Sequence, residues 1–405
     1  MITIALAGKP NSGKSTFFKA FTLADVEIAA YPFTTIAPNV GVAYVRVNCL
    51  CKEKELELAG ECGNCINGFR FIPVEVLDVA GLVRGAHEGK GLGNEFLDEL
   101  RQAEAIIHVV DASGATDADG NVVELGAHDP REDVIFFKEE LNMWVYGIIS
   151  RGWHKMERRV ELEGTKIERM LTEQLAGVGV TEEQVKGAIL KSGIPDKSNM
   201  KSWTKDDLKK LASHIVMRSK RMIIAANKAD IAPDENIKKL KELEGTGKED
   251  GGEIVIPCSA AAELALRTAS KNNIIKYLSG DTDFVIASEV TDKQRKGLEQ
   301  IKRLIHAHGG TGVQEIINRV VFDLLDYVVV YPVEDEHKYS DSAGRVLPDA
   351  YLLKAGSTAR DLAFAVHSDI GDSFLYAIDA RTKRRLGEKY ELQNNDIIKV
   401  VYTSR

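Results

Sequence analysis

The sequence predicts an α/β fold: a mostly parallel sheet with helices on both faces, interrupted by a helical insert and followed by a small α+β module. Three observations predict it. Short apolar runs rich in β-branched residues, at 2–6, 71–77 and 222–226, each stop at a turn rich in Gly, Asp or Asn. Between Asp111, which ends another run, and Met222 the apolar residues recur at three- and four-residue steps. From about Tyr327 the pattern changes to short strands around one helix start.

The first run leads through Gly8-Lys9-Pro10-Asn11-Ser12-Gly13-Lys14-Ser15-Thr16 into a helix that starts over residues 17–21. Strand, glycine-rich turn and helix in that order are the context of a phosphate-binding P-loop. The glycines let backbone N–H groups turn inward around the phosphates, and the helix N-terminus adds positive potential. Lys14 then reaches the β- and γ-phosphates, Ser12, Gly13 and Thr16 complete the cradle, and Ser15 offers a hydroxyl to Mg²⁺. The second run ends at Asp78-Val79-Ala80-Gly81. Asp78 is placed to hold a water of the magnesium, and the Gly81 N–H to meet the γ-phosphate. The Asp78 assignment depends on the P-loop upstream, because Asp-x-x-Gly alone is a common turn.

The third run ends at Asn227-Lys228-Ala229-Asp230. Asp230 is placed to accept from N1–H and the exocyclic amine of guanine; adenine lacks the N1 donor and would leave a carboxylate unpaired. GTP and GDP are therefore expected over ATP. Cys258-Ser259-Ala260, after a strand at 253–256, fits the last guanine-side loop, with the Ala260 amide aimed at the base carbonyl.

These segments, with the switch-like stretches at 30–39, 78–86 and 89–94, make the chain resemble the Obg family of GTPases. The match is closer to its YchF or Obg-like ATPase branch in archaeal form, over nearly the whole length. The resemblance implies a P-loop GTPase domain at 1–125 and 219–326, a helical or coiled-coil insert at 126–218, and a β-grasp TGS domain at 327–405. It also implies that Thr35 completes the Mg²⁺ shell. Bacterial and eukaryotic members of that branch usually alter the base-reading motif and favour ATP, whereas the motif here is of the guanine type.

After Gly81 stands Leu82, which cannot hydrogen-bond the attacking water as a Gln would. Slow hydrolysis is expected from Lys14, Mg²⁺ and loop amides. Asn11 is similar to the P-loop Asn of potassium-stimulated GTPases, which would bring in K⁺, and equally suits a tight turn. His87 is a candidate for polarising water, against the simpler reading of a solvated loop histidine, and Arg84 is a further mobile charge.

A net charge of -8 and a pI near 5.7 give no global basic signal for nucleic acid. No signal peptide or membrane span is read, so a cytoplasmic protein is expected, with a monomer the simplest state. Four of the five cysteines, Cys49, Cys51, Cys62 and Cys65, fall between the strands at 40–47 and 71–77. In a reducing compartment that spacing suggests structural Zn²⁺ over disulfides, with free thiols as the alternative. In the insert, Met156, Val160, Ile167, Met170, Leu171 and Leu175 form one amphipathic run and Leu208, Leu211 and Ile215 another, which predicts a helical hairpin. Residues 138–221 carry 17 Lys/Arg against 12 Asp/Glu, so the insert suits an anionic partner such as ribosomal RNA.

The last module, with strands expected at 328–331, 374–378 and 397–401 and a capping box at Thr358 and Asp361, resembles a TGS domain. Its turn at 381–385, with Arg381, Lys383, Arg384 and Arg385, is the expected phosphate contact, or a charged hairpin turn. The expectation is a Mg²⁺-dependent GTPase switch acting with the ribosome. The alternatives are an ATP-preferring triphosphatase and an RNA- or ribosome-binding module with little turnover.

Overall fold

The structure is a computed structural model of the 405-residue chain and describes residues 1–23, 39–53, 56, 62, 65–82, 85–86, 99–194, 200–245 and 253–403. These fall into two compact units, one within Met1–Asp25, Tyr31–Ala43 and Val74–Ile316, the other within Tyr44–Pro73 and Ile317–Arg405.

The first unit is built on β1 (Thr3–Ala7), α1 (Lys14–Thr22), β2 (Val40–Asn48), β3 (Phe69–Asp78) and β4 (Ala105–Asp111), with β2 and β3 running on into the second unit. The insert helices follow: α2 (Pro130–Glu163), α3 (Ile167–Leu175), α4 (Glu182–Lys191) and α5 (Lys205–Ser219). Then come β5 (Arg221–Asn227), α6 (Asp234–Lys241), β6 (Ile254–Pro257), α7 (Ala260–Lys271), a small pair β7 (Ile275–Lys276) and β8 (Val285–Ile286), α8 (Asp292–His308) and α9 (Val313–Arg319).

Six strands form one sheet in the order β2-β3-β1-β4-β5-β6, and β3, β1, β4, β5 and β6 pair in parallel. The register sets Leu6 beside Asp78 and Asp111 beside Asn227, so the functional turns leave the sheet at the same carboxyl end. In parallel α/β sheets that is where ligands bind. β4 is buried at every residue, as a strand covered on both faces must be. One core cluster joins Ala5, Ala7 and Ile106 to Phe137 and Leu141 of α2, and another joins Val110 and Ile224 to Val134 and Leu240.

The insert differs from the expected helical hairpin. It is a 34-residue helix followed by three shorter ones. Asp129 caps α2 by accepting from Arg131 N, with Pro130 next to it. Gly164 stops the helix in the left-handed conformation at φ 63°, where its N–H still reaches Val160 O. α4 and α5 open with complete capping boxes, Thr181 with Gln184 and Thr204 with Asp207. Their apolar faces close on α2 around Trp153 and Trp203, whose rings stack at 5.4 Å.

The second unit holds β9 (Tyr327–Val333), β10 (Tyr351–Lys354), α10 (Ala359–Val366), α11 (Ser368–Asp372), β11 (Phe374–Asp379), β12 (Arg385–Leu386) and β13 (Asp396–Tyr402). Its sheet runs β10-β9-β13-β11-β12, with β13 and β9 parallel and the other pairs antiparallel. α10 begins on the capping box of Thr358 and Asp361. Leu362 of α10 packs on one set of strand residues with Val330 and Ile398, while Leu50, Ile72 and Leu347 pack with Val329 and Tyr331. Among the described residues no helix is long and apolar enough to cross a membrane.

Candidate nucleotide site

The first turn runs from the end of β1 to the start of α1 at Lys14. Two of its residues hold left-handed backbone, Asn11 at φ 62° and Gly13 at φ 94°. A Cβ on Gly13 would also stand 2.3 Å from Asn227 Nδ2, so glycine is required there for two reasons. Ser12 is fully buried and its Oγ has no hydrogen-bond partner among the described residues, a polar atom left over in this turn.

Lys14 Nζ lies 2.9 Å from Asp78 Oδ1, so the ammonium from the first turn and the carboxylate from the end of β3 face one point. Ser15 at the helix start is exposed, and Thr16 half-buried. Gly81 lies against the same turn, where an added Cβ would be 3.3 Å from Pro10 Cγ. Leu82 is 2 % exposed and belongs to the core beneath, which accounts for a leucine by packing. A hydroxyl and a carboxylate are the hard oxygen donors Mg²⁺ takes, so Ser15 and Asp78 fit that ion. Thr35, Arg84, His87 and the stretches at 30–38 and 89–94 lie outside the described residues.

The turn after β5 is fastened directly to the P-loop turn. Asn227 Nδ2 donates to Ser12 O at 3.0 Å, and its Oδ1 accepts from Ala260 N at 3.0 Å. Lys228, left-handed at φ 63°, donates from Nζ to Asn11 O at 2.9 Å and to Asp111 Oδ2 at 2.8 Å. Asp230 is exposed. Ser259 caps α7 by accepting from Ala262 N, and its own N–H is held by Thr311 O. Ala260 is fully buried, and in this structure its amide, expected to face the base carbonyl, donates to Asn227 and orients that side chain.

Other residues of the site carried no motif signal. Asp111, fully buried, accepts from Lys228, Ser113 and Thr116. Burial alone would raise its pKa, but those hydrogen bonds outweigh it and hold the carboxyl below the usual range. Lys9, also buried, is neutralised by Asp133 at 2.8 Å and donates to Thr116 O. Asn11 Nδ2 donates to Gly120 O at 3.0 Å, which accounts for the asparagine by turn geometry. Gly120 itself needs φ 86° and passes so close to Pro10 that a Cβ would meet its carbonyl oxygen at 2.6 Å. Asp111 at a strand end and the Asp-Pro start of α2 were the only available hints.

In the second unit, the turn expected to meet phosphate has several cations engaged within the chain. Arg381 pairs with Glu53 at 2.7 Å, Lys383 donates to Ala380 O, and Arg385 lies 3.7 Å over the Tyr376 ring.

Comparison with known proteins supports the same reading. Residues 3–138 match the family described as "50S ribosome-binding GTPase", residues 225–335 "Obg-like GTPase YGR210-like, G4 motif-containing domain", and residues 344–402 "TGS domain". A GTP-binding protein of Methanocaldococcus jannaschii, itself uncharacterised, is 52% identical over 100% of both chains. The ribosome-binding ATPase YchF of Bacillus subtilis is 27% identical over 98% of both. The crystal structure of a GTP-binding protein from Pyrococcus horikoshii is 45% identical, covers 99% of this chain and 100% of its own, and superposes with a TM-score of 0.75. A P-loop turn fastened to a guanine-type motif, a TGS match and a full-length relative above half identity place the chain in the Obg-like/YchF GTPase family.

Proposed function

We propose that the protein is a Mg²⁺-dependent GTP-binding switch that hydrolyses GTP slowly and acts at the ribosome. The observation that carries the reading is the pair of bonds from Asn227 and Lys228 to the backbone of Ser12 and Asn11. They hold the phosphate end and the base end in one frame. Asp230 is left exposed to accept from the two donors of a guanine edge.

In this frame the backbone N–H groups from Gly13 to Thr16 cradle the phosphates, and Lys14 moves from Asp78 to the β- and γ-oxygens. When bound, Mg²⁺ supplies charge neutralisation to those oxygens, with Ser15, Asp78 and Thr35 around it. The Gly81 amide faces the γ-phosphate and loses its partner on hydrolysis. With Leu82 buried, water orientation falls to a group outside the described residues, His87 being the candidate in this chain, and turnover is slow without a partner.

The insert at 126–218 and the TGS module at 327–405 are the proposed contact elements, beside a nucleotide domain at 1–125 and 219–326. A relative named for ribosome binding and the positive charge balance of residues 138–221 favour that partner. Competition binding tests the nucleotide reading: GTP and GDP should displace a fluorescent guanine nucleotide where ATP does not. Asp230→Asn should weaken guanine nucleotide at least ~10-fold with ATP unchanged, each 1.4 kcal/mol of lost pairing being tenfold. Equal affinity for ATP and GTP in the unaltered chain would overturn it. Cosedimentation with ribosomal subunits in GTP and GDP tests the partner, and no pelleting in either state would remove it.

A further inference from the structure

Four cysteines lie within the second unit. The sulphurs of Cys49, Cys51, Cys62 and Cys65 all lie within 4.8 Å of one another. The Cys49–Cys62 and Cys51–Cys65 pairs are both at 3.6 Å, and none of the four is joined in a disulfide. A disulfide requires about 2.05 Å. Four thiolates at about 2.3 Å around a tetrahedral zinc stand about 3.8 Å apart. The observed spacing is the second of these.

An independent observation concerns charge. Arg70 of β3 is 3 % exposed, and its Nη2 donates to Cys62 Sγ at 3.0 Å and to Leu347 O. No carboxylate pairs with it among the described residues, and its Nε has no partner. A guanidinium does not shed its proton, and a buried cation without a counter-charge is costly. Four thiolates on one divalent ion carry a net charge of about -2. That supplies the anion the buried arginine lacks.

We propose that Cys49, Cys51, Cys62 and Cys65 bind one Zn²⁺ as a closed structural site, with Arg70 as the positioning residue that joins the Cys62 sulphur to Leu347. On binding, each thiol releases its proton to solvent and no oxidation state changes. All four positions are filled by protein, so the ion takes no part in turnover. Cys62 also pairs with Val346 in a parallel bridge, and Leu347 is fully buried against Leu50, Ile72 and Tyr331. The metal therefore fastens the segment after β2 to the start of the TGS-matching segment, within one unit.

The test uses the full chain, purified anaerobically from zinc-supplemented culture. Elemental analysis should return about one zinc per chain, and exchange into Co²⁺ should give thiolate-to-metal charge-transfer and tetrahedral d–d bands. Cys51→Ser and Cys65→Ser should lose the metal, while Cys258→Ser, at a buried cysteine elsewhere, keeps it. Arg70→Met should weaken zinc about 10–100-fold in chelator competition, with Arg70→Lys recovering part of it. Chelation should raise amide exchange at 346–350. Four thiols that react freely in metal-poor protein, disulfides at 49–62 and 51–65, or iron as the bound metal would each overturn the proposal. The first and second arms need no variant, so a misfolded mutant leaves the test intact.

Discussion

Replacing Lys228 by Met probes the joint between the base-reading loop and the P-loop. The ammonium lies 2.8 Å from Asp111 Oδ2, and the Asp111 side chain has no solvent exposure. Removing one partner of a buried pair costs about 3–5 kcal/mol. Asp111 keeps the Ser113 and Thr116 hydrogen bonds, so the lower end, about 3 kcal/mol, is expected. The sign with pH follows from the depressed pKa of Asp111. In the unaltered protein the carboxylate stabilises the fold above its unfolded pKa of about 3.9, and that stability is lost as pH falls through the lower folded value. Without Lys228, burial dominates and the folded pKa rises, so the deficit is largest near pH 7 and shrinks as the pH is lowered towards 4.

The assay is urea unfolding read by tryptophan fluorescence. All three tryptophans, Trp144, Trp153 and Trp203, lie in the core of the first unit, so the signal reports that unit. Asp111→Asn combined with Lys228→Met should recover much of the loss. An equal deficit at pH 7 and pH 4.5, or no recovery in the double variant, would refute the buried-pair account.

Other outcomes are expected. Gly13→Ala should cost guanine nucleotide affinity at least ~10-fold, about 1.4 kcal/mol, because its Cβ would stand 2.3 Å from Asn227 Nδ2 on left-handed backbone, and titration calorimetry reads this. His108, buried and stacked on Phe137 at 4.3 Å, has its pKa pushed down to about 3 by burial, helped by Lys138 and Lys9. Its unfolded form binds a proton below about 6.5, so stability falls as pH drops from 6.5 towards 3. His108→Phe should flatten that part of the pH profile, and an unchanged slope would remove the assignment. Leu171→Ala, at a fully buried site in the insert, should cost about 2–5 kcal/mol in the same fluorescence assay.

The nucleotide turns were legible because their chemistry is local. The P-loop pattern asks for glycine at position 13 and lysine at 14, and the proposed guanine reader asks for a carboxylate at 230, whatever surrounds them. The strands were legible to within a residue or two because apolar runs between breakers admit few readings. The contact of Asp111, Thr116 and Gly120 with Lys228, Lys9 and Asn11 joins positions over a hundred residues apart. No periodicity reports such a contact. The insert exceeds a hairpin because Met156 and Leu171, which continue one spacing in the sequence and share one core cluster, lie on different helices separated by Gly164. For Ala260 the sequence offers an amide but does not show that Asn227 accepts from it in the structure.

The ties from Asn227 and Lys228 to the P-loop backbone also bear on how the molecule meets its first guest. The two turns are tied to each other without a ligand, so on the proposed function an incoming nucleotide loses little affinity to organising their backbone. On the proposed function the purine end is then a still point, held by Asn227 and Lys228 whichever phosphates the guest carries.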